Sequence, residues 1–136
     1  MTISRLPVVE EKVRVVGTSQ YQDAIWRIVG EPTRDRDSRA SWRGEAALEA
    51  EPGNRHDRNA VRVTVGGETV GYLDRELAAE LQPDLVELAR HGTAAVVAAH
   101  AVGGFELREG GRASVGLVLE MDPRDVHRAA GAFARR

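Results

Sequence analysis

The sequence predicts a mainly β fold in which a small β-barrel carries a few accessory helices. Three observations support this prediction: several short runs alternate polar and apolar residues, Gly-Gly pairs separate some of these runs, and helical spacing is concentrated after the central hairpin. At 136 residues, the chain is large enough for one domain with a single core.

The N-terminal part contains a lead-in, a strand, a helix and a loop. Residues 1–11 show no clear pattern and are predicted to be a loosely held lead-in. Residues 12–17 alternate before reaching a glycine, as a strand does, and apolar residues within 18–29 have the spacing of a short amphipathic helix. The polar, mixed-charge residues 30–43 predict an exposed, mobile loop.

The central part predicts three strands. Residues 44–51 alternate as in a half-buried strand, and residues 59–65 give the clearest strand pattern in the chain. Gly66-Gly67 supplies the positive φ angles of a hairpin turn, after which residues 69–73 return as the third strand.

Helices are predicted after this hairpin. Asp74 is a suitable N-cap for a helix over residues 75–81. Pro83 is predicted to open a second helix over residues 84–90, which Gly92 ends.

The C-terminal part returns to β structure and then ends in a tail. Residues 93–102 and 113–121 are β-rich, and a short strand containing Phe105 is predicted between two glycine pairs. The main domain is therefore placed at residues 12–122. Residues 123–136 are predicted to form a basic helical tail.

The composition excludes several classes of function. The formal net charge of −2 and the pI near 6.1 argue against bulk electrostatic capture of a long duplex. The absence of cysteine excludes disulfides and thiolate chemistry. No run is apolar enough to span a membrane and no signal-peptide pattern is present, so we expect a cytoplasmic protein with no membrane partner.

No catalytic motif stands out, so the prediction is a non-enzyme without a cofactor. The four histidines have no metal-ligand spacing. The carboxylates of Glu45, Glu49 and Glu51 could do acid–base chemistry, but their alternation is more typical of a solvated strand face.

The polar turn, residues 51–59, is the main candidate site. Asn54 and Asn59 are typical of turns, where such side chains bond nearby backbone amides. Asp57 lies among Arg55, His56 and Arg58, so an ionised carboxylate could accept a hydrogen bond from a sugar hydroxyl while the arginines hold phosphates. A solvated turn with loose ion pairs is the alternative.

The chain resembles the HIRAN domain family from about residue 13 to residue 121, and we expect a stand-alone member. The resemblance depends on an ordered set of motifs: Val15-Val16-Gly17, Tyr21-Gln22, residues 48–51, Asn54, Asp57, residues 59–63 and Val70-Gly71-Tyr72-Leu73. It implies a modified OB-like β-barrel. It also implies a function, because eukaryotic members grip the free 3′ end of single-stranded DNA and act at stalled replication forks.

The resemblance also implies site residues. Asp57 matches the aspartate that accepts the terminal 3′ hydroxyl, and Tyr21 matches an aromatic position of the family. Phe105 lies where a later loop contributes an aromatic ring, and Arg75 lies near a basic position that meets a phosphate. Tyr72 has two readings, a member of this pocket or a packed ring with a solvated hydroxyl.

The chain departs from the DNA-binding members at three positions. In the loop after Gly17, which forms part of the family pocket, they carry an arginine and a tyrosine where this chain has Ser19 and Gln20; Gln20 stays a predicted site residue. His56 replaces a tyrosine that packs on the terminal base. Two functions therefore remain open. One is a module for single-stranded DNA or its 3′ end in DNA repair or processing. The other is a protein-interaction or structural barrel that lost the pocket and binds a protein partner or itself.

Overall fold

The computed structural model describes residues 1–30, 41–105 and 107–134. These residues form seven strands: β1 (Thr2–Arg5), β2 (Lys12–Arg14), β3 (Arg43–Ala50), β4 (Val61–Val65), β5 (Glu68–Tyr72), β6 (Thr93–Gly103) and β7 (Val115–Glu120). They also form a 3₁₀ turn, Thr18–Tyr21, and three helices: α1 (Gln22–Val29), α2 (Arg75–Arg90) and α3 (Pro123–Ala134).

The strands form a mainly antiparallel sheet, in which six follow the order β2-β7-β6-β3-β4-β5 and β1 pairs with β6 outside this order. The sheet curls into a half-barrel whose two outer edges meet, because Val16, just after β2, bridges Tyr72 at the end of β5. Valine and leucine side chains from β4, β5, β6 and β7 fill the interior together with Ile25 of α1. The predicted mainly β fold with accessory helices is therefore confirmed.

The central hairpin agrees with its prediction. β3 pairs with β4, and β4 pairs with β5 through a two-residue turn. Gly66 and Gly67 have φ angles of 59° and 84°, which is the backbone of a type I′ turn and suits the twist of the flanking strands. β4 begins at Val61 rather than residue 59, because the Ala60 N–H donates to the Asp57 carbonyl within the polar turn.

The N-terminal segment is not a loosely held lead-in. Residues Thr2–Arg5 pair in parallel with residues 93–96 of β6, and the Leu6 N–H donates to the Val96 carbonyl at 2.9 Å. Leu6 is buried in the core. The prediction failed because a strand of four residues has too few positions to show alternation, and its partner lies about ninety residues away.

The two helices predicted around Pro83 are one continuous helix, α2, with Pro83 inside it. An internal proline costs about 3 kcal/mol in an exposed helix. Here Ala78, Leu81, Leu85 and Leu88 lie on one face and are buried in the core, which offsets that loss. The predicted N-cap is confirmed, because Asp74 Oδ1 accepts from the N–H groups of Glu76 and Leu77.

Three further predictions concern the loops and the tail. Of the loop predicted over residues 30–43, residues 31–40 lie outside the described residues, and Arg43 already begins β3. Phe105 is not in a strand, because β6 ends at Gly103 and both Gly103 and Gly104 have positive φ. The tail forms α3, which packs against α2, and the Phe133 ring stacks on His91, the residue that follows α2.

Candidate functional site

The sheet closes at a seam between residues 15–17 and the end of β5. The Val16 N–H donates to the Tyr72 carbonyl at 2.8 Å, and the Tyr72 N–H donates to the Val16 carbonyl at 2.9 Å. A Cβ atom on Gly71 would lie 2.6 Å from the Val16 carbonyl oxygen, so only glycine permits this approach. The register of β4 and β5 also shifts beside Gly71.

A cavity of about 440 Å³ lies beside this seam, and we call it the seam pocket. Six of the eight predicted site residues line it: Gln20, Tyr21, His56, Asp57, Tyr72 and Arg75. The other four lining residues are Val16, Asn54, Ala60 and Leu73. The structure therefore brings together the 3₁₀ turn, the polar turn, the end of β5 and the start of α2.

Arg55 and Phe105 do not line the seam pocket. Arg55 is exposed, and Phe105, 39% exposed, follows the glycines that end β6. Sequence reasoning missed the apolar contributions of Val16 and Leu73. The signal for both was their position beside Gly17 and Asp74, where strands give way to other structure.

Asn54 holds the polar turn together. Its Oδ1 accepts from the N–H groups of His56 at 2.9 Å and Asp57 at 3.1 Å. Its Nδ2 donates to Glu51 Oε1 at 3.2 Å. The predicted structural role of Asn54 is confirmed. Asn59 contributes its backbone N–H, which donates to Asp57 Oδ1 at 2.9 Å.

The Asp57 carboxylate has two different oxygens. Oδ1 is engaged with the Asn59 amide inside the turn. Oδ2 lies 3.6 Å from the Arg75 Nε, and the Asp57 side chain is 21% exposed while that of Arg75 is 83% exposed. The arrangement combines a fixed, half-buried acceptor with a cation that extends into solvent, which suits a hydroxyl beside a phosphate.

Two aromatic rings, those of Tyr21 and Tyr72, also line the seam pocket. The ring centroids of Tyr21 and Tyr72 are 6.4 Å apart, and the rings are tilted by 46°. Burial raises the pKa of Tyr72 well above its ordinary value, and hydrogen bonding to Glu51 and the charge of that carboxylate raise it further. Tyr72 is therefore a neutral phenol at physiological pH. Val16, 40% exposed, adds apolar surface beside the rings.

The acidic residues of β3 and the polar turn are partners in ion pairs. Glu45 Oε2 lies 2.8 Å from the Nε of Arg5, and Arg62 pairs with Glu49 and lies 3.8 Å from Glu51. These contacts agree with the view that the carboxylates belong to a solvated strand face. Among the residues that the structure describes, no group of His, Asp and Glu side chains has the arrangement of a metal site. No helix in the described ranges is long and apolar enough to cross a membrane.

Comparisons with known proteins assign the chain to a family. A model of the HIRAN domain matches residues 12–101, well over half of the chain. The chain is also similar to the crystal structure of the HIRAN domain of human HLTF, with 18% identity and a TM-score of 0.33 over 92% of this chain and 86% of that one. A comparison with curated proteins finds no match. The family match includes β2, the polar turn, the seam and most of β6. It confirms the HIRAN-type, OB-like fold, and the chain belongs to the HIRAN domain family.

Proposed function

We propose that this chain is a non-catalytic DNA-binding module that recognises the free 3′-hydroxyl end of single-stranded DNA during DNA repair or processing. HIRAN domains bind DNA, so family membership supports the DNA-binding part. Recognition of the 3′ hydroxyl is supported by the position of Asp57 Oδ2, the second carboxylate oxygen of this side chain. This oxygen lies in an open pocket, beside a solvent-exposed arginine, while the first oxygen is engaged in the turn.

The side chains that line the seam pocket have separate roles in this proposal. Asp57 Oδ2 accepts the proton of the terminal 3′ hydroxyl, and the exposed Arg75 guanidinium meets the adjacent phosphate. The terminal base lies among Tyr21, Tyr72 and the His56 ring, because single-stranded nucleic acid binds by stacking on such rings. Arg55 lies outside this pocket, and its positive charge attracts phosphates near the pocket.

The net charge of the chain favours binding to the end of a nucleic-acid strand over binding along a long stretch of it. A net charge of −2 does not concentrate phosphates over the whole surface, so affinity has to come from a few specific contacts. Binding through one or two phosphates predicts a shallow dependence on salt, with a slope of about 0.7 per phosphate for a single strand.

The test compares two labelled oligonucleotides that differ only in their 3′ end. A 3′ phosphate removes the donor that Asp57 needs and adds negative charge beside it, so we expect at least about tenfold weaker binding than with a 3′ hydroxyl. Fluorescence anisotropy at low and high salt measures both affinities and the salt slope.

The matched variants are Asp57→Asn and Asp23→Asn. Asp57→Asn keeps an oxygen for the Asn59 amide, so the turn survives, but it presents an NH₂ group where Oδ2 was. We expect it to abolish the preference for the 3′ hydroxyl. Asp23→Asn removes the same charge from an exposed position outside the seam pocket and should keep the preference.

Two results would contradict the proposal. Equal binding of both oligonucleotides by the wild type would remove the role of Asp57. Absence of binding at either salt concentration would favour the other function, a protein-interaction or structural barrel, and size-exclusion chromatography would then test for self-association.

A further inference from the structure

Gln22 makes an unusual connection across the barrel. Its side-chain Nε2 donates to the Val115 carbonyl at 2.8 Å, and its Oε1 accepts from the Val115 N–H at 2.9 Å. Gln22 is the first residue of α1, and Val115 is the first residue of β7, 93 positions later. A single side chain therefore exchanges two hydrogen bonds with one residue of a distant strand.

The position of Val115 explains why this connection matters. β7 pairs with β6 along one side, and on its other side the chain around β2 reaches only as far as Leu117, whose carbonyl accepts from the Val15 N–H at 3.0 Å. Val115 lies two residues beyond that point and is fully buried. Its N–H and C=O would lack a strand partner there, and buried backbone groups require one.

A glutamine carboxamide carries the same donor and acceptor as a peptide unit. The two bonds to Val115 reproduce the exchange that a residue of an antiparallel strand would make. Gln22 thus takes the place of a missing residue of β2 at the point where the chain leaves the sheet for the 3₁₀ turn.

The same amide also holds the 3₁₀ turn. Gln22 Nε2 donates to the Thr18 carbonyl at 2.9 Å, so both ends of the turn are tied to β7. No side chain caps the turn at Gly17, and the Gln20 N–H donates to the Gly17 carbonyl at 3.2 Å. Besides its own backbone bonds, the turn is held by contacts from outside, with β5 on one side and Gln22 on the other.

We infer that Gln22 is a positioning residue, which fixes the Gln20 and Tyr21 wall of the seam pocket by acting as a surrogate strand residue for Val115. The relevance of this wall to DNA depends on the proposed function, but the positioning role itself does not.

The test uses Gln22→Met, which keeps the length of the side chain and removes all three bonds, and Ile25→Val as the control. Ile25 is fully buried in the same helix, so its truncation destabilises α1 without touching the amide. Hydrogen exchange of the backbone amides is followed by NMR. In Gln22→Met we expect about tenfold faster exchange at Val115 and in the 3₁₀ turn than in the wild type, measured relative to Val63 of the core.

In Ile25→Val we expect the ratio of exchange at Val115 to exchange at Val63 to stay close to that of the wild type. A uniform increase over the whole chain in Gln22→Met, or an equal local increase in Ile25→Val, would overturn the inference. Should Gln22→Met fail to fold, Gln22→Glu serves instead: it keeps the acceptor for the Val115 N–H and sets a carboxylate oxygen against the Thr18 and Val115 carbonyls, so the same local increase in exchange is expected.

Oligonucleotide binding separates this inference from the proposed function. If the wild type prefers the 3′-hydroxyl oligonucleotide, Gln22→Met should weaken binding about fivefold or more, with an unchanged salt slope, since no charge is altered. Local loosening in a protein that binds no DNA at all would support the positioning role and contradict the proposed function.

Discussion

The seam pocket has two walls that are built in opposite ways. The polar turn forms one wall, and its bonds connect Glu51, Asn54, Asp57 and Asn59, all within nine residues. The 3₁₀ turn forms the other wall, and Gln22 ties it to a strand 93 residues away. One wall is determined by its own sequence, and the other is determined by the completed barrel.

This difference has consequences for how each wall tolerates change. The polar turn bonds through short side chains and backbone amides, so a substitution acts there by breaking the turn itself. The 3₁₀ turn is tied through Gln22 to Val115 of β7 as well as by its own backbone bonds, so it responds to changes in distant residues. We expect the first wall to be stiff and sensitive to few positions, and the second to loosen without loss of the fold.

Asn54→Ala tests the stiff wall and has the largest expected effect. It leaves the His56 and Asp57 N–H groups without their acceptor and removes one of the donors to Glu51. We expect the free energy of unfolding to fall by about 2 kcal/mol or more, measured by urea denaturation. Asn59→Ala, on the exposed end of the same turn, should change it by less than about 0.5 kcal/mol. Equal losses would show that the bonds of Asn54 do not hold this wall.

His56→Tyr tests whether a larger ring on the polar turn strengthens the binding of DNA. The backbone of His56 is fixed by Asn54, while its side chain is exposed and lines the seam pocket, so the substitution leaves the turn intact. A tyrosine should strengthen stacking by about 1 kcal/mol, or roughly fivefold in affinity for the 3′-hydroxyl oligonucleotide by anisotropy. Asn59→Tyr adds the same ring on the turn but outside the pocket and should bring no such gain. A gain of similar size in both variants would contradict stacking in the pocket.

Features that depend on bonds between neighbouring residues could be predicted from the sequence. The Gly66-Gly67 hairpin, the Asp74 cap and the role of Asn54 all depend on bonds between residues a few positions apart. Local chemistry of this kind appears directly in the sequence. The same holds for Asp57, because its arginine and histidine neighbours in the chain predict a site at the polar turn.

Features that depend on distant contacts could not be predicted in this way. The pairing of β1 with β6, the continuation of α2 through Pro83 and the partners of Gln22 all require the folded barrel. Burial of an apolar face overrode the local preference of proline, as tertiary contacts commonly override propensity. Phe105 was placed near the site by resemblance to the family, and the glycines that end β6 leave it outside the seam pocket.

Tyr72 lies between the two walls, and its ionisation offers the finest test of their contact. Its ring is close to Tyr21 of the 3₁₀ turn, and its pKa is raised mainly by burial and then by Glu51 of the polar turn. A raised pKa in the folded state stabilises the fold below the ordinary tyrosine value of about 10, and this contribution is lost as the pH rises above it. In the folded protein, Tyr72→Phe should therefore cause no loss of phenolate absorbance at pH 10, whereas in concentrated urea it should remove the signal of one tyrosine. The melting temperature of the wild type should also fall more between about pH 9 and pH 11 than that of the variant. If the folded wild type already ionises more phenol than Tyr72→Phe near pH 10, the two walls do not enclose Tyr72 as the structure indicates.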